Sequence, residues 1–136
     1  VRLPIQIHYW SEDVERLLEH YVGVLSFELV YRQPPGPPAD FCILGLGDAK
    51  IMIARTPDIE AMGSRNDVRL LEAVVPRIGC SGPISVYVEV EDVDAYHGRV
   101  AAAGAEVIEP IWDAPWGLRQ FSVVDPDGNL TTFHAG

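Results

Sequence analysis

Asp113-Ala-Pro-Trp-Gly-Leu-Arg-Gln-Phe-Ser-Val-Val-Asp-Pro-Asp-Gly-Asn-Leu-Thr-Thr-Phe-His134 is the stretch whose reading decides the fold. It predicts a turn carrying a tryptophan, a buried strand, a tight reversal and a returning strand. Phe121, Val123 and Val124 give the first strand its aromatic and β-branched content. In Asp125-Pro126-Asp127-Gly128-Asn129, Pro126 presets φ and Gly128 accepts a positive one. The Asp and Asn side chains can bond neighbouring backbone amides. Thr131, Thr132 and Phe133 suit the returning strand.

Upstream, Ile84 to Val90 predicts a strand, and Asp92 to Ala103 a helix with Val93, Tyr96 and Val100 inward and Gly104 as its stop. Val107 to Ile111 predicts one more strand. The first half has the same order. Ile5, Ile7 and Tyr9 alternate with Gln6, His8 and Trp10, the period of a two-faced strand. Ser11 then caps a helix with Glu12 and Asp13 in its first turn, Val14, Leu17, Leu18 and Tyr21 on one face, and Gly23 as its end. Phe27 to Tyr31, Phe41 to Leu44 and Lys50 to Ala54 read as strands, with a Pro-rich loop at 34–38.

Glu12-Asp13-Val14 repeats as Glu91-Asp92-Val93 at an offset of 79, and Phe41 to Leu44 as Phe121 to Val124 at an offset of 80. This predicts an α+β chain of two tandem βαβββ modules, 1–56 and 82–136, forming cupped mixed sheets. The connector, 57–81, carries about two helical turns over Asp67 to Val75, ended by Pro76. Modules this short hide little surface alone, so they must share a core or swap elements with a second chain.

A formal charge of −10, from ten Lys and Arg against twenty Asp and Glu, leaves no basic face for phosphates and argues against a nucleic-acid partner. The same field favours a cationic ligand, or serves solubility alone. No apolar run reaches the length of a membrane span, and the N-terminus has no signal-peptide pattern, so a cytoplasmic protein is expected. Cys42 and Cys80 are read as buried free thiols, with a single disulfide as the alternative. GxSxG, Walker, HExxH and GxGxxG patterns are all lacking, and Ser81 and Ser85 have no His–acid pair by spacing.

The doubled unit ending in Pro115-Trp116-Gly117-Leu118-Arg119-Gln120-Phe121 and Asp125-Pro126-Asp127-Gly128-Asn129 resembles the vicinal oxygen chelate superfamily over nearly the whole chain. That group includes glyoxalase I, extradiol dioxygenases, fosfomycin-modifying enzymes and bleomycin-resistance proteins, and the chain looks most like the last branch. The resemblance implies a homodimer with two grooves between chains. It also implies a metal position fed by four strands, which falls on Gln6, Met52, Ser85 and Thr132. None of these is His, Asp or Glu, and a divalent ion needs several such ligands, so no metal and no other cofactor is expected there. An alternative set, His8, Glu89 and His134, lies one pleat along and would serve a lyase, transferase or dioxygenase.

Without a metal, the cup is predicted to bind a planar aromatic natural product, such as an antibiotic, by sequestration rather than catalysis. Its expected walls are Trp10, Tyr87, Trp112 and Trp116, with Met52 as an adaptable floor and His8 and His134 at the mouth. The resemblance gives Trp116 a drug-stacking role. Trp10 and Trp112 have an equally good reading as core or dimer-interface filler.

Overall fold

The computed structural model describes residues 6–63, 65–79 and 84–136. Ile5, Cys80 and Ser81 of the sequence readings lie outside them. The first sheet is built from β1 (Ile7–Ser11), β2 (Glu28–Gln33), β3 (Phe41–Leu46) and β4 (Ala49–Arg55), in the order β1-β4-β3-β2. The second uses β5 (Ser85–Glu89), β6 (Glu106–Asp113), β7 (Arg119–Val124) and β8 (Leu130–Ala135), in the matching order β5-β8-β7-β6. In each, the opening strand runs parallel to the closing one and the other pairs are antiparallel. Two tandem βαβββ modules with mixed, cupped sheets are therefore the architecture.

Helix α1 (Val14–Glu19) covers the first sheet and α3 (Val93–Ala102) the second, with α2 (Val68–Val74) in the connector. The repeat is visible atom by atom at the helix starts. Asp13 Oδ1 accepts from Arg16 N at 3.1 Å and Asp92 Oδ1 from Ala95 N at 3.0 Å, each satisfying an amide that the first helical turn leaves unpaired. Asp13, not Ser11, is thus the first cap; Ser11 ends β1, and its Oγ accepts from Asp13 N. Gly23 does not stop the first helix. The chain widens into a π-helical turn, His20–Val24, which keeps Tyr21 buried, and leaves the helix through Leu25. Pro76 likewise does not end the connector helix abruptly but sits in a 3₁₀ turn, Val75–Arg77.

One core serves both modules. Leu17, Leu25, Leu44 and Ile53 from the first join Val100, Phe121, Val123 and Phe133 from the second in a continuous buried cluster. Tyr96 Oη donates to the Leu25 carbonyl across the junction. At the other side of the junction Asp125, buried in the hairpin turn, accepts from Tyr21 Oη at 2.8 Å. Asp125 Oδ1 also accepts from the amides of Asp127 and Asn129, both at 2.9 Å, and Gly128 completes the turn at φ 88°.

The offset of 80 between β3 and β7 needs correction. Cys42 and Leu44 face the core and Phe41 does not, whereas Phe121 and Val123 face it. The true equivalents are Cys42 with Phe121 and Leu44 with Val123, so the offset stays at 79 through β7. The extra residue enters in the Asp125–Asn129 turn, where it changes no strand's facing.

Candidate functional site

Side-chain alternation sends one face of each sheet to the core and leaves the other as a cup. On the first sheet, His8 pairs in register with Met52 and Trp10 with Ala54, so His8, Trp10 and Met52 share that cup. The His8 and Trp10 rings lie 4.4 Å apart, and burial pushes the His8 pKa below its ordinary value. On the second sheet, Tyr87 pairs with Thr132, Glu89 with His134 and Gln120 with His134. Tyr87 and His134 are in ring contact at 5.8 Å. The structure therefore divides the predicted lining into two groups, and no ring contact joins them among the described residues.

Trp112 and Trp116 form a T-shaped pair at 5.8 Å and 87° on the second cup. They remain 41% and 58% exposed, yet neither indole N–H is free. Trp112 Nε1 donates to Glu109 Oε2 at 3.0 Å, and Trp116 Nε1 to Gln120 Oε1 at 3.0 Å. Gln120, only 2% exposed, donates from Nε2 to both Glu109 oxygens at 3.1 Å. Both indoles are thus oriented by one carboxylate, directly or through one amide, and about half of each stays open.

Three hydroxyls extend this network across the sheet. Ser122 Oγ donates to Glu109 Oε1 at 2.6 Å, Ser122 and Thr132 hydroxyls are 2.7 Å apart, and Thr132 and Ser85 hydroxyls 3.1 Å apart. The line runs through β6, β7, β8 and β5. Partial burial alone would raise the Glu109 pKa, but the bonds from Ser122, Trp112 and Gln120 outweigh it and leave the carboxyl below the ordinary glutamate range.

The four positions implied for a metal do not suit one. Ser85 and Thr132 are neutral hydroxyls already bonded into the line that ends on Glu109, Met52 offers only a thioether, and Gln6 is an exposed amide. The alternative set is not assembled within the chain either. Glu89 and His134 are register partners on the second sheet, His8 sits on the first, and no three His, Cys, Asp or Glu side chains form a metal-binding group among the described residues. Cys42 is buried and unpaired, its thiol pushed up to about 11 by burial, which suits filler and not a nucleophile.

Glu109, Gln120 and Ser122 escaped the sequence reading. Gln120 and Ser122 were legible in principle, since they alternate with Phe121 and Val123 as the polar face of one strand. Glu109 was not. Register shifts in β6 on both sides of it bring Glu109 and Trp112, three apart, onto one face, which strict alternation forbids. A separate cleft of about 760 Å³ opens where the β3–β4 turn meets β5 and α3, and shares Tyr87 and Glu89 with the cup.

The chain is similar to known proteins along most of its length. It is 26% identical over 124 residues to bleomycin resistance proteins of Geobacillus stearothermophilus and Staphylococcus aureus, an alignment covering 89% of this chain and 87% of each relative. Among solved structures, TioX from Micromonospora sp. ML1 superposes with a TM-score of 0.72 at 29% identity, covering 98% of this chain and 96% of that one. The bleomycin-binding protein of bleomycin-producing Streptomyces verticillus, solved with copper(II)-bleomycin, superposes with a TM-score of 0.65 at 25% identity, covering 100% and 98%. The family model for the glyoxalase/bleomycin resistance protein/dioxygenase superfamily matches residues 5–133. A tandem βαβββ chain with this topology, matched from its first strand to its last, belongs to that superfamily.

Proposed function

We propose that the protein is a cytoplasmic homodimer that sequesters a planar aromatic natural product, an antibiotic or related secondary metabolite, without making or breaking a bond. The observation that carries this reading is the Trp112–Trp116 pair, oriented through its N–H groups while about half of each residue stays exposed. Exposed indoles with fixed orientation are preorganised for stacking, because little side-chain freedom is left to lose on binding. The bleomycin-resistance relatives and the copper(II)-bleomycin complex of a structural neighbour support the ligand class.

Magnitudes favour a groove between two chains. Covering the open part of one such indole removes on the order of 100 Å² of apolar surface, worth about 2–3 kcal/mol, and stacking adds about 0.5–1.5 kcal/mol. Two indoles on one wall give a gross gain too small for tight capture once the loss of ligand freedom is subtracted. A second wall is needed. In this reading the first cup of a partner chain, with its own Trp10, Met52 and His8, supplies it.

The test is a titration of intact protein with bleomycin and with quinoline- or quinoxaline-bearing peptide antibiotics, read by tryptophan fluorescence and calorimetry. Saturable quenching with a Kd of about micromolar or tighter, on a species of two chain masses in sedimentation, is the expected result. No saturable response across the panel contradicts the reading. Stoichiometric metal in the purified protein favours the enzyme alternative instead.

A further inference from the structure

The hydroxyl line across the second sheet has a direction, and that direction restricts what the cup can hold. Each hydroxyl has one proton to give. Glu109 is ionised near neutral pH and can only accept, so the Ser122 proton goes to Glu109 Oε1. Ser122 must then accept from Thr132, and Thr132, its proton spent, must accept from Ser85. Gln120 aims one amide N–H at both Glu109 oxygens and accepts from Trp116 on its own oxygen, and the Trp112 N–H is on Glu109 too. The Ser122, Thr132, Trp112 and Trp116 donors are consumed, and the second Gln120 N–H belongs to a side chain only 2% exposed. What faces an incoming molecule is lone pairs, a carboxylate, and indole rings whose faces are electron-rich.

Strand register puts no Lys or Arg on this face of β5, β7 or β8, while Glu89 adds a second negative charge. Arg119, at the end of β7, is turned away and bonded to Asp94 of α3 and to Asp113. The protic groups left at the edge are the Tyr87 hydroxyl and the His134 ring.

We propose that this cup is an acceptor surface that selects its aromatic ligand by positive charge or N–H donors, with Glu109 as the specificity-determining residue, and rejects carboxylate-bearing rings. The proposal rests on the ligand-binding reading above and narrows it to a cationic planar class. A carboxylate or phosphate would meet lone pairs and Glu109, with only the Tyr87 hydroxyl and the His134 ring to offset the repulsion, whereas a cation gains from the carboxylate and from the exposed indole surface.

The test uses three probes with one ring system: N-methylquinolinium, neutral quinoline, and quinoline-2-carboxylate, each titrated into the full-length chain by calorimetry near neutral pH. The expected ranking is cation over neutral over anion, with the cation roughly tenfold tighter than the anion, and Glu109→Gln bringing the three close to parity. Raising salt from about 0.05 M to about 0.5 M should shrink the cation's advantage in the unmodified protein, a readout that stands if the variant fails to fold. Equal binding of all three, or a preference for the carboxylate, overturns the charge selection while leaving the aromatic site intact. A full cation preference in folded Glu109→Gln overturns the role of Glu109. Failure of every probe to bind removes the aromatic platform itself, and with it the sequestration reading.

Discussion

Tyr21 Oη and Asp125 Oδ2, 104 residues apart in sequence, meet at 2.8 Å and fasten the first module's helix to the second module's hairpin turn. Asp125 is buried, and the Asn129 side chain donates to the same oxygen at 2.8 Å. Burial, then the Asp125 charge, hold the Tyr21 hydroxyl protonated well beyond its ordinary range. The bond is therefore a permanent donor to a carboxylate. Tyr21→Phe removes that donor and leaves Asp125 its turn partners, so the expected loss is about 1.5–3 kcal/mol. Urea unfolding checks this, with a lower midpoint and an unchanged slope expected. An unchanged midpoint would show that the link carries no weight.

His20 predicts a dependence on acid. Its pKa is lowered first by burial, with Arg16 assisting and Asp125 opposing, and its Nε2 is buried without a partner. The folded state therefore resists the proton that the unfolded state accepts near 6.5. Stability from this group is present above that value and is lost as pH falls below it, down through the lower folded pKa. His20→Phe, which keeps a ring against Tyr21, should make the loss shallower between about pH 7 and pH 5. It should not abolish it, since burial lowers His8 in the same way. Parallel stability curves for parent and variant would contradict this account of His20.

Gln120 is expected to matter for binding more than its burial suggests. Gln120→Leu keeps roughly the same volume but releases the Trp116 indole and removes one partner of Glu109. Glu109 keeps Ser122 and Trp112. Ligand affinity should fall by about 1 kcal/mol, the scale of one net hydrogen bond, through freedom regained by Trp116. Unchanged affinity by calorimetry would show that Trp116 needs no anchoring.

Local signals were the ones the sequence expressed. The Asp92–Ala103 helix, the Asp125–Asn129 reversal and the two strands that flank it depend on neighbours in the chain, and each formed as read. Misreadings arose where a local rule had two solutions. Ser11 and Asp13 both suit a cap, and only the path of β1 gives the position to Asp13. Gly23 looks like a stop, but burying Tyr21 beside Phe27 favours carrying the helix on as a π turn. The candidate site was half legible. Trp112, Trp116, Tyr87 and His134 do share a cup, while His8, Trp10 and Met52 lie on the other, because which faces meet is settled by packing between modules. Glu109 depended on irregularities in β6 that no spacing rule encodes.

Trp116→Ala should weaken capture of any aromatic ligand by roughly 1–3 kcal/mol, the scale of losing a central aromatic anchor. More than half exposed, Trp116 contributes little to the core, so far-ultraviolet circular dichroism should not change. Equal affinity in the variant would remove Trp116 from the site.

The measurement closest to the central claim is a heteronuclear NMR titration of the three indole N–H resonances with metal-free bleomycin or a quinoxaline peptide antibiotic. The hydrogen bonds from Trp112 and Trp116 to Glu109 and Gln120 should give two slowly exchanging signals, and both should shift saturably as ligand covers their rings. Saturable binding that leaves both signals unmoved would place the ligand elsewhere and contradict the second cup as the capture site.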